Sequence, residues 1–184
     1  MSTSNQEFRE CFPSLITNIN DSSVDALISI AEECVFSVGD TVIQDNSPSD
    51  KLFFILDGNL SSFIEKKGEK IELGEISPGD IAGEVSMFGN CPTTSTVIAK
   101  TDCTLLTLSK ADLNQLQITA PEFVSQLLRT TSSTLASRLL RSDKLLYQHF
   151  ADKGGRDNKS HGTPSLHEWC AAMYQHMHGH KEML

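Results

Sequence analysis

The residues with the most chemistry to offer lie between Ala82 and Val97. A Gly-Glu pair opening a short helical turn presents backbone N–H groups that have no acceptor inside the helix, and such groups hold anions. Gly83 lets a ligand approach the main chain, and Glu84 supplies a carboxylate that accepts from hydroxyls. Val85 and Ser86 continue the turn, and Thr93, Thr94, Ser95 and Thr96 follow as a run of neutral hydroxyl donors. This set binds; it does not make or break bonds. No arrangement of serine, histidine and acid, no metal set and no phosphotransferase-type nucleotide loop is visible, which argues against an enzyme.

Other candidates are weaker. His176 and His180 are four apart, with His167 and His178 nearby, but Gly179 weakens any helix between them and no acidic third ligand is fixed, so no metal is assigned. The five cysteines, at 11, 34, 91, 103 and 170, include no C-x-x-C pair and read as reduced thiols, several of them in the core. Cys91 stands out because it sits beside the anion-binding turn, near a helix end where a thiolate can be stabilised.

The elements that must position the turn follow from periodicity. Phe8, Phe12, Leu15 and Ile16, then Val24, Leu27, Ile28 and Ile30, have helical spacing and predict two short helices, with Ser22 and Ser23 as caps. From Val35 to Leu108 short β-prone runs are punctuated by Gly39-Asp40, Pro48-Ser49-Asp50, Asp57-Gly58, Lys67-Gly68-Glu69, Pro78-Gly79-Asp80 and Gly89-Asn90. Regular short strands of this kind predict a β-sandwich or barrel. Ser109 with Asp112 predicts a capped helix ending near Ala120-Pro121. From Pro121 a long helix carries Phe123, Val124, Leu127, Leu128, Thr131, Leu135, Leu139, Ser142 and Leu146, a seam that extends past one roll and predicts a homodimer.

With these motifs in order, the chain from about Phe12 to His149 resembles the cyclic nucleotide-binding domain family of catabolite activator proteins, kinase A regulatory subunits and gated channels. Phe36-Ser37-Val38-Gly39-Asp40 before a strand, Leu52 to Gly58 as a hairpin and Pro78-Gly79-Asp80 before the Gly83-Glu84 turn carry the resemblance. It implies a mainly β fold, an eight-stranded jelly roll (a double-stranded β-helix) flanked by helices, with a long C-terminal helix acting as ligand lid and dimer interface. It also implies roles. The family's glutamate accepts from the ribose 2′-hydroxyl, and Glu84 stands there; its arginine pairs with the cyclic phosphate, and Thr93 stands there instead. A threonine hydroxyl cannot give the charge-assisted, often bidentate contact of a guanidinium. Lys100 is the obvious candidate to replace it. Base recognition in the family comes from the long helix, where Thr130, Thr131, Ser132 and Ser133 are candidates.

The implied organisation is N-terminal helices over 1–33, the β-roll and following short helix over 34–120, and the long helix over 121–150. A linker over 151–164 and an amphipathic tail helix over 165–184 complete it. In that tail Leu166, Trp169, Cys170, Met173 and Met177 form a stripe suited to covering its own roll or binding a protein partner. No helix-turn-helix domain fits after the linker, and a net charge of −9 argues against direct DNA binding. No apolar run approaches a membrane span and no signal peptide opens the chain, so a cytoplasmic protein is expected. The reading is a regulatory sensor with weakened or altered binding of cAMP or cGMP; the alternative is a degenerate-pocket interaction scaffold acting through its dimer helix and tail.

Overall fold

The computed structural model describes residues 3–66 and 68–154, and the side chains of 5–66 and 68–144. The predicted tail helix, its histidines and the linker beyond 154 lie outside the described residues. Eight strands form two antiparallel four-stranded sheets. The first holds β1 (Glu32–Phe36), β8 (Cys103–Ser109), β3 (Lys51–Asp57) and β6 (Ile81–Ala82) in that order; the second holds β2 (Thr41–Ile43), β7 (Thr96–Ala99), β4 (Leu60–Lys66) and β5 (Glu69–Ile76). This is the expected β-roll.

The run Leu52 to Leu56 is apolar at every position because β3 is covered on both faces. Leu52, Phe54 and Leu56 face one buried cluster, shared with Phe8, Phe12, Leu15, Val24, Leu27 and Phe123 from the helices. Phe53 and Ile55 face the other, inside the roll, with Ile43, Leu60, Val97 and Leu105 from the strands. Burying a Leu, Ile or Phe side chain contributes about 1.5–3 kcal/mol, so each face of this strand holds one layer to it. Phe54 meets Phe8 and Phe12 edge-on, with ring centroids 5.7 and 5.5 Å apart.

The stretch Leu52 to Gly58 is not a hairpin. β3 pairs with β6 and β8, whereas β4 pairs with β5 and β7, so Asp57-Gly58-Asn59 carries the chain from one sheet to the other. Gly58 has φ +85°, and a Cβ there would lie 2.3 Å from the Asp102 carbonyl oxygen. The hairpin is instead β4–β5, with Ile64 opposite Ile71. Two turns repeat one construction: the Ser37 N–H donates to Asp40 Oδ2 at 2.7 Å, and the Ser77 N–H to Asp80 Oδ2 at 2.9 Å. Gly39 and Gly79 sit inside these turns at φ +90° and +89°.

Three helices precede the roll where two were expected: α1 (Thr3–Cys11), α2 (Pro13–Ile16) and α3 (Asp21–Ile30). Pro13 lacks the N–H that would continue α1, and it occupies the first turn of α2 instead. The cap of α3 is Asn20 rather than Ser22 or Ser23; its side-chain oxygen accepts from the Ser23 N–H at 2.8 Å. Ser109 and Asp112 form the expected capping box at the start of α5 (Lys110–Thr119). The long helix α6 spans Pro121–Gly154 and so passes the break expected after Phe150, where Ala151, Asp152 and Lys153 are ordinary helix formers. The chain divides into two compact units, residues 1–136 and 137–184. In the first, Phe123, Val124 and Leu127 of α6 are buried in the helical cluster; in the second, Leu139 and Leu140 are exposed.

Candidate functional site

β6 delivers the chain to the Gly83-Glu84 turn singled out in the sequence as the candidate anion-binding element. Its two residues pair with β3, Ala82 opposite Phe53, and Gly83 follows at φ +85°, ψ 0° as the residue before α4 (Glu84–Gly89). The left-handed backbone there is one that only glycine adopts without strain. Space closes the position as well, since a Cβ would stand 2.4 Å from the Lys51 carbonyl oxygen. Glu84 and Ser86 are buried and Val85 is exposed, as successive positions on one short helix turn through roughly 100°. The Ser86 hydroxyl donates to the Gly83 carbonyl at 3.1 Å, tying the helix back onto its entry residue.

Thr93 is buried, and its side chain is fully engaged by the β2–β3 loop. Its hydroxyl donates to the Gln44 carbonyl, with the Ser47 carbonyl 3.1 Å away as a second acceptor, and it accepts from the Ser47 N–H at 2.9 Å. The main chains are joined too: the Thr93 N–H donates to Ser47 O at 3.0 Å and the Asn46 N–H to Thr93 O at 2.9 Å. Thr96 adds one more contact, its Oγ1 accepting from the Asp45 N–H at 3.2 Å. A hydroxyl has a single proton, so Thr93 has no donor left for a bound anion in this arrangement. Thr94 is exposed. Ser95 is half-buried and 2.9 Å from the Ser62 hydroxyl, linking the segment to β4.

Lys100, the candidate expected to stand in for the family's arginine, is paired with a carboxylate on the surface. Its Nζ lies 2.5 Å from Glu75 Oε1 on β5, at the protein surface. That hydrogen bond and the opposite charge push the Glu75 carboxyl below its ordinary value and the Lys100 ammonium above its own. Lys110 is directed elsewhere. It lines an open cleft of about 370 Å³ beside α4, with Pro48, Asp50, Met87, Asn90 and Cys91. Cys91 is exposed, Cys11 and Cys34 are half-buried and Cys103 is buried.

On α6 the candidates separate. Thr131 is 4% exposed, and its hydroxyl is buried with no hydrogen-bond partner among the described residues, whereas Ser132 beside it is exposed. A buried hydroxyl left unpaired costs about 1–3 kcal/mol, so Thr131 is a position that a ligand or water group would satisfy. Sequence reasoning missed the loop Gln44–Ser47 entirely. The signal available was the Asp45-Asn46-Ser47-Pro48 run, rich in turn formers, but nothing in it says which strand the loop will meet. Among the described residues no group of three or more His, Cys, Asp or Glu is placed to hold a metal ion, and no helix is long and apolar enough to cross a membrane.

The order of strands, the Gly83-Glu84 turn and the helix after it can be compared with known proteins. The family model for the cyclic nucleotide-binding domain matches residues 33–119. Residues 33–119 are a cyclic nucleotide-binding domain. The catabolite activator protein of Thermus thermophilus has the same fold, with a TM-score of 0.65 at 21% identity over 73% of this chain and 63% of that one. The regulatory subunit of a cAMP-independent protein kinase A from Trypanosoma brucei follows at a TM-score of 0.53 and 22% identity, covering 71% of this chain and 49% of that one. Among curated proteins, neuropathy target esterase sws of Drosophila melanogaster is 28% identical over 138 residues, 71% of this chain and 9% of that protein. The chain therefore spans about a tenth of the length of the curated relatives it matches. Cyclic nucleotide-binding domains are regulatory rather than catalytic, and the esterase-named relatives are matched over only 9–10% of their own length.

Proposed function

We propose that this chain is a non-enzymatic regulatory sensor of the cyclic nucleotide-binding type whose affinity for cAMP and cGMP is weakened by Thr93. The observation that carries the reading is the engagement of the Thr93 hydroxyl by Gln44 and Ser47, at the position where the family has its phosphate-pairing arginine. Removing the cationic partner of a partly buried anion costs on the order of 2–5 kcal/mol, which is a few powers of ten in affinity. Gly83, Glu84, Val85, Ser86, Thr94 and Ser95 make up the rest of the proposed binding segment, and Thr131 and Ser132 the base-recognition candidates. The unpartnered hydroxyl of Thr131 supports that last assignment on its own chain position. The fold by itself does not dictate the ligand: one neighbour of this fold is the regulatory subunit of a cAMP-independent kinase.

The output acts through the long helix. The exposed Leu128 in its first part and the exposed Leu139 and Leu140 in its second support a homodimer formed along α6, since apolar side chains in a helical seam favour a partner. The same leucines support the second reading, a scaffold with an idle pocket that works through protein contacts alone. A thermal-shift titration with cAMP and cGMP separates the two, because a ligand that binds only the folded state raises its melting temperature. Saturable stabilisation at millimolar nucleotide, lost in Glu84→Ala, supports the sensor. No stabilisation by either nucleotide, with the helix still dimeric, supports the scaffold.

A further inference from the structure

We propose that Thr93 sets the specificity of this site by latching the chain's own Gln44–Ser47 loop onto it, so that cyclic phosphates are refused by self-occupation and not only by the loss of a charge. The proposal rests on the reading of the domain given above and concerns how its site is regulated. A guanidinium at position 93 would look outward for acceptor oxygens. The threonine has found two within its own chain, the carbonyls of Gln44 and Ser47, and it also satisfies the Ser47 N–H.

The latch is larger than one side chain. Thr93 N–H to Ser47 O, Asn46 N–H to Thr93 O and Asp45 N–H to Thr96 Oγ1 run beside it, so that three consecutive loop N–H groups, from Asp45 to Ser47, are all bound to the 93–96 segment. The cross-link is closed further along by Ser95 on Ser62. Thr93 itself is 6% exposed, so a ligand that needs this position must first displace the loop. Groups within hydrogen-bonding distance of one another inside the protein are hard for water to replace, and the loop is held more tightly than an exposed connection. The occupant admitted without unlatching is one that carries no charged group at this position.

Thr93→Val keeps the shape of the side chain and removes both its donor and its acceptor; Thr93→Ser keeps the hydroxyl. Amide hydrogen exchange of residues 45–47 and cAMP affinity by calorimetry are read on the full chain and on both variants. The expected result is that Asn46 and Ser47 are protected in the wild-type protein. Thr93→Val then speeds the exchange of Ser47, whose N–H the Thr93 hydroxyl holds, about tenfold, the effect of one lost buried hydrogen bond, and tightens cAMP binding, while Thr93→Ser behaves as wild type. Exchange of Asn46 and Ser47 at free-loop rates in the wild-type protein overturns the latch without any variant having to fold. Faster exchange with cAMP binding unchanged or weaker in Thr93→Val overturns the self-occupation. Thr93→Arg, which supplies the cation and removes the hydroxyl's part of the latch together, tests the underlying reading separately: a folded Thr93→Arg protein that binds no cyclic nucleotide overturns the cyclic nucleotide site itself.

Discussion

Replacing Gly83 by alanine tests whether the entry to α4 is built as described. Two costs apply. An alanine held at φ +85° pays about 1–2 kcal/mol for the left-handed conformation. Its Cβ also meets the Lys51 carbonyl oxygen at 2.4 Å, on the strand to which β6 is paired, so β3 and the turn must separate. Overpacking of that kind costs about 1–3 kcal/mol more. The sum is about 2–5 kcal/mol, and in a chain of this size each kcal/mol lowers Tm by about 2–4 °C. Gly39 supplies the control, since it sits at φ +90° and a Cβ there would meet nothing within 4 Å. Gly39→Ala should lose about 1–2 kcal/mol from the backbone term alone. Calorimetric melting of the two variants side by side isolates the contact. Equal losses of stability in Gly83→Ala and Gly39→Ala would refute the close approach of the turn to β3.

Three further outcomes follow from packing and charge. Phe54→Ala, which empties the space beside the stacked rings of Phe8 and Phe12, should cost about 3–5 kcal/mol in denaturant unfolding; a loss below about 1 kcal/mol would contradict the helical cluster. Glu75 has a folded pKa below its ordinary value of 4.5, so its contribution is present above that pH and is lost as pH falls through the depressed value. The small stability difference between Lys100→Met and wild type should therefore be seen at neutral pH and vanish on acidification; a difference that persists in strong acid would place Lys100 elsewhere. Among the four cysteines of the described residues, thiol labelling of the folded protein should modify Cys91 first and Cys103 last, with Cys11 slow because burial, and then the charges of Glu10, Glu7 and Asp57, raise its pKa. Mass spectrometry of the labelled peptides reads that order directly.

Much of the fold was legible because its punctuation is local. The Ser-x-Gly-Asp turns, the Ser109–Asp112 box and the Pro121 start of α6 are each fixed within four residues, and each is seen in the structure. The apolar run Leu52 to Leu56 was harder. Its continuity reflects burial on two faces, yet the turn after it reads equally as a hairpin or as a crossing between sheets, and only the partners of β4 decide. Asn20 was overlooked as a cap because Ser22 and Ser23 follow it closely. At the site, Gly83, Glu84 and Thr93 were visible as residue types, but the role of Thr93 was not. Its hydroxyl is bound by a loop 46 to 49 positions earlier, a non-local contact that no spacing rule encodes. Lys100 shows the same limit, since the period of two along β7 does not say that Glu75 of β5 will hold it.

The most direct test of the account is calorimetric titration of cAMP into the wild-type chain and into Thr93→Arg at fixed salt. A weakened cyclic nucleotide site predicts wild-type binding only at high concentration, and binding tighter by a few powers of ten once the cation is supplied. Wild-type affinity equal to or tighter than that of a folded Thr93→Arg variant would contradict it, and would remove Thr93 as the cause of any weakness in this site.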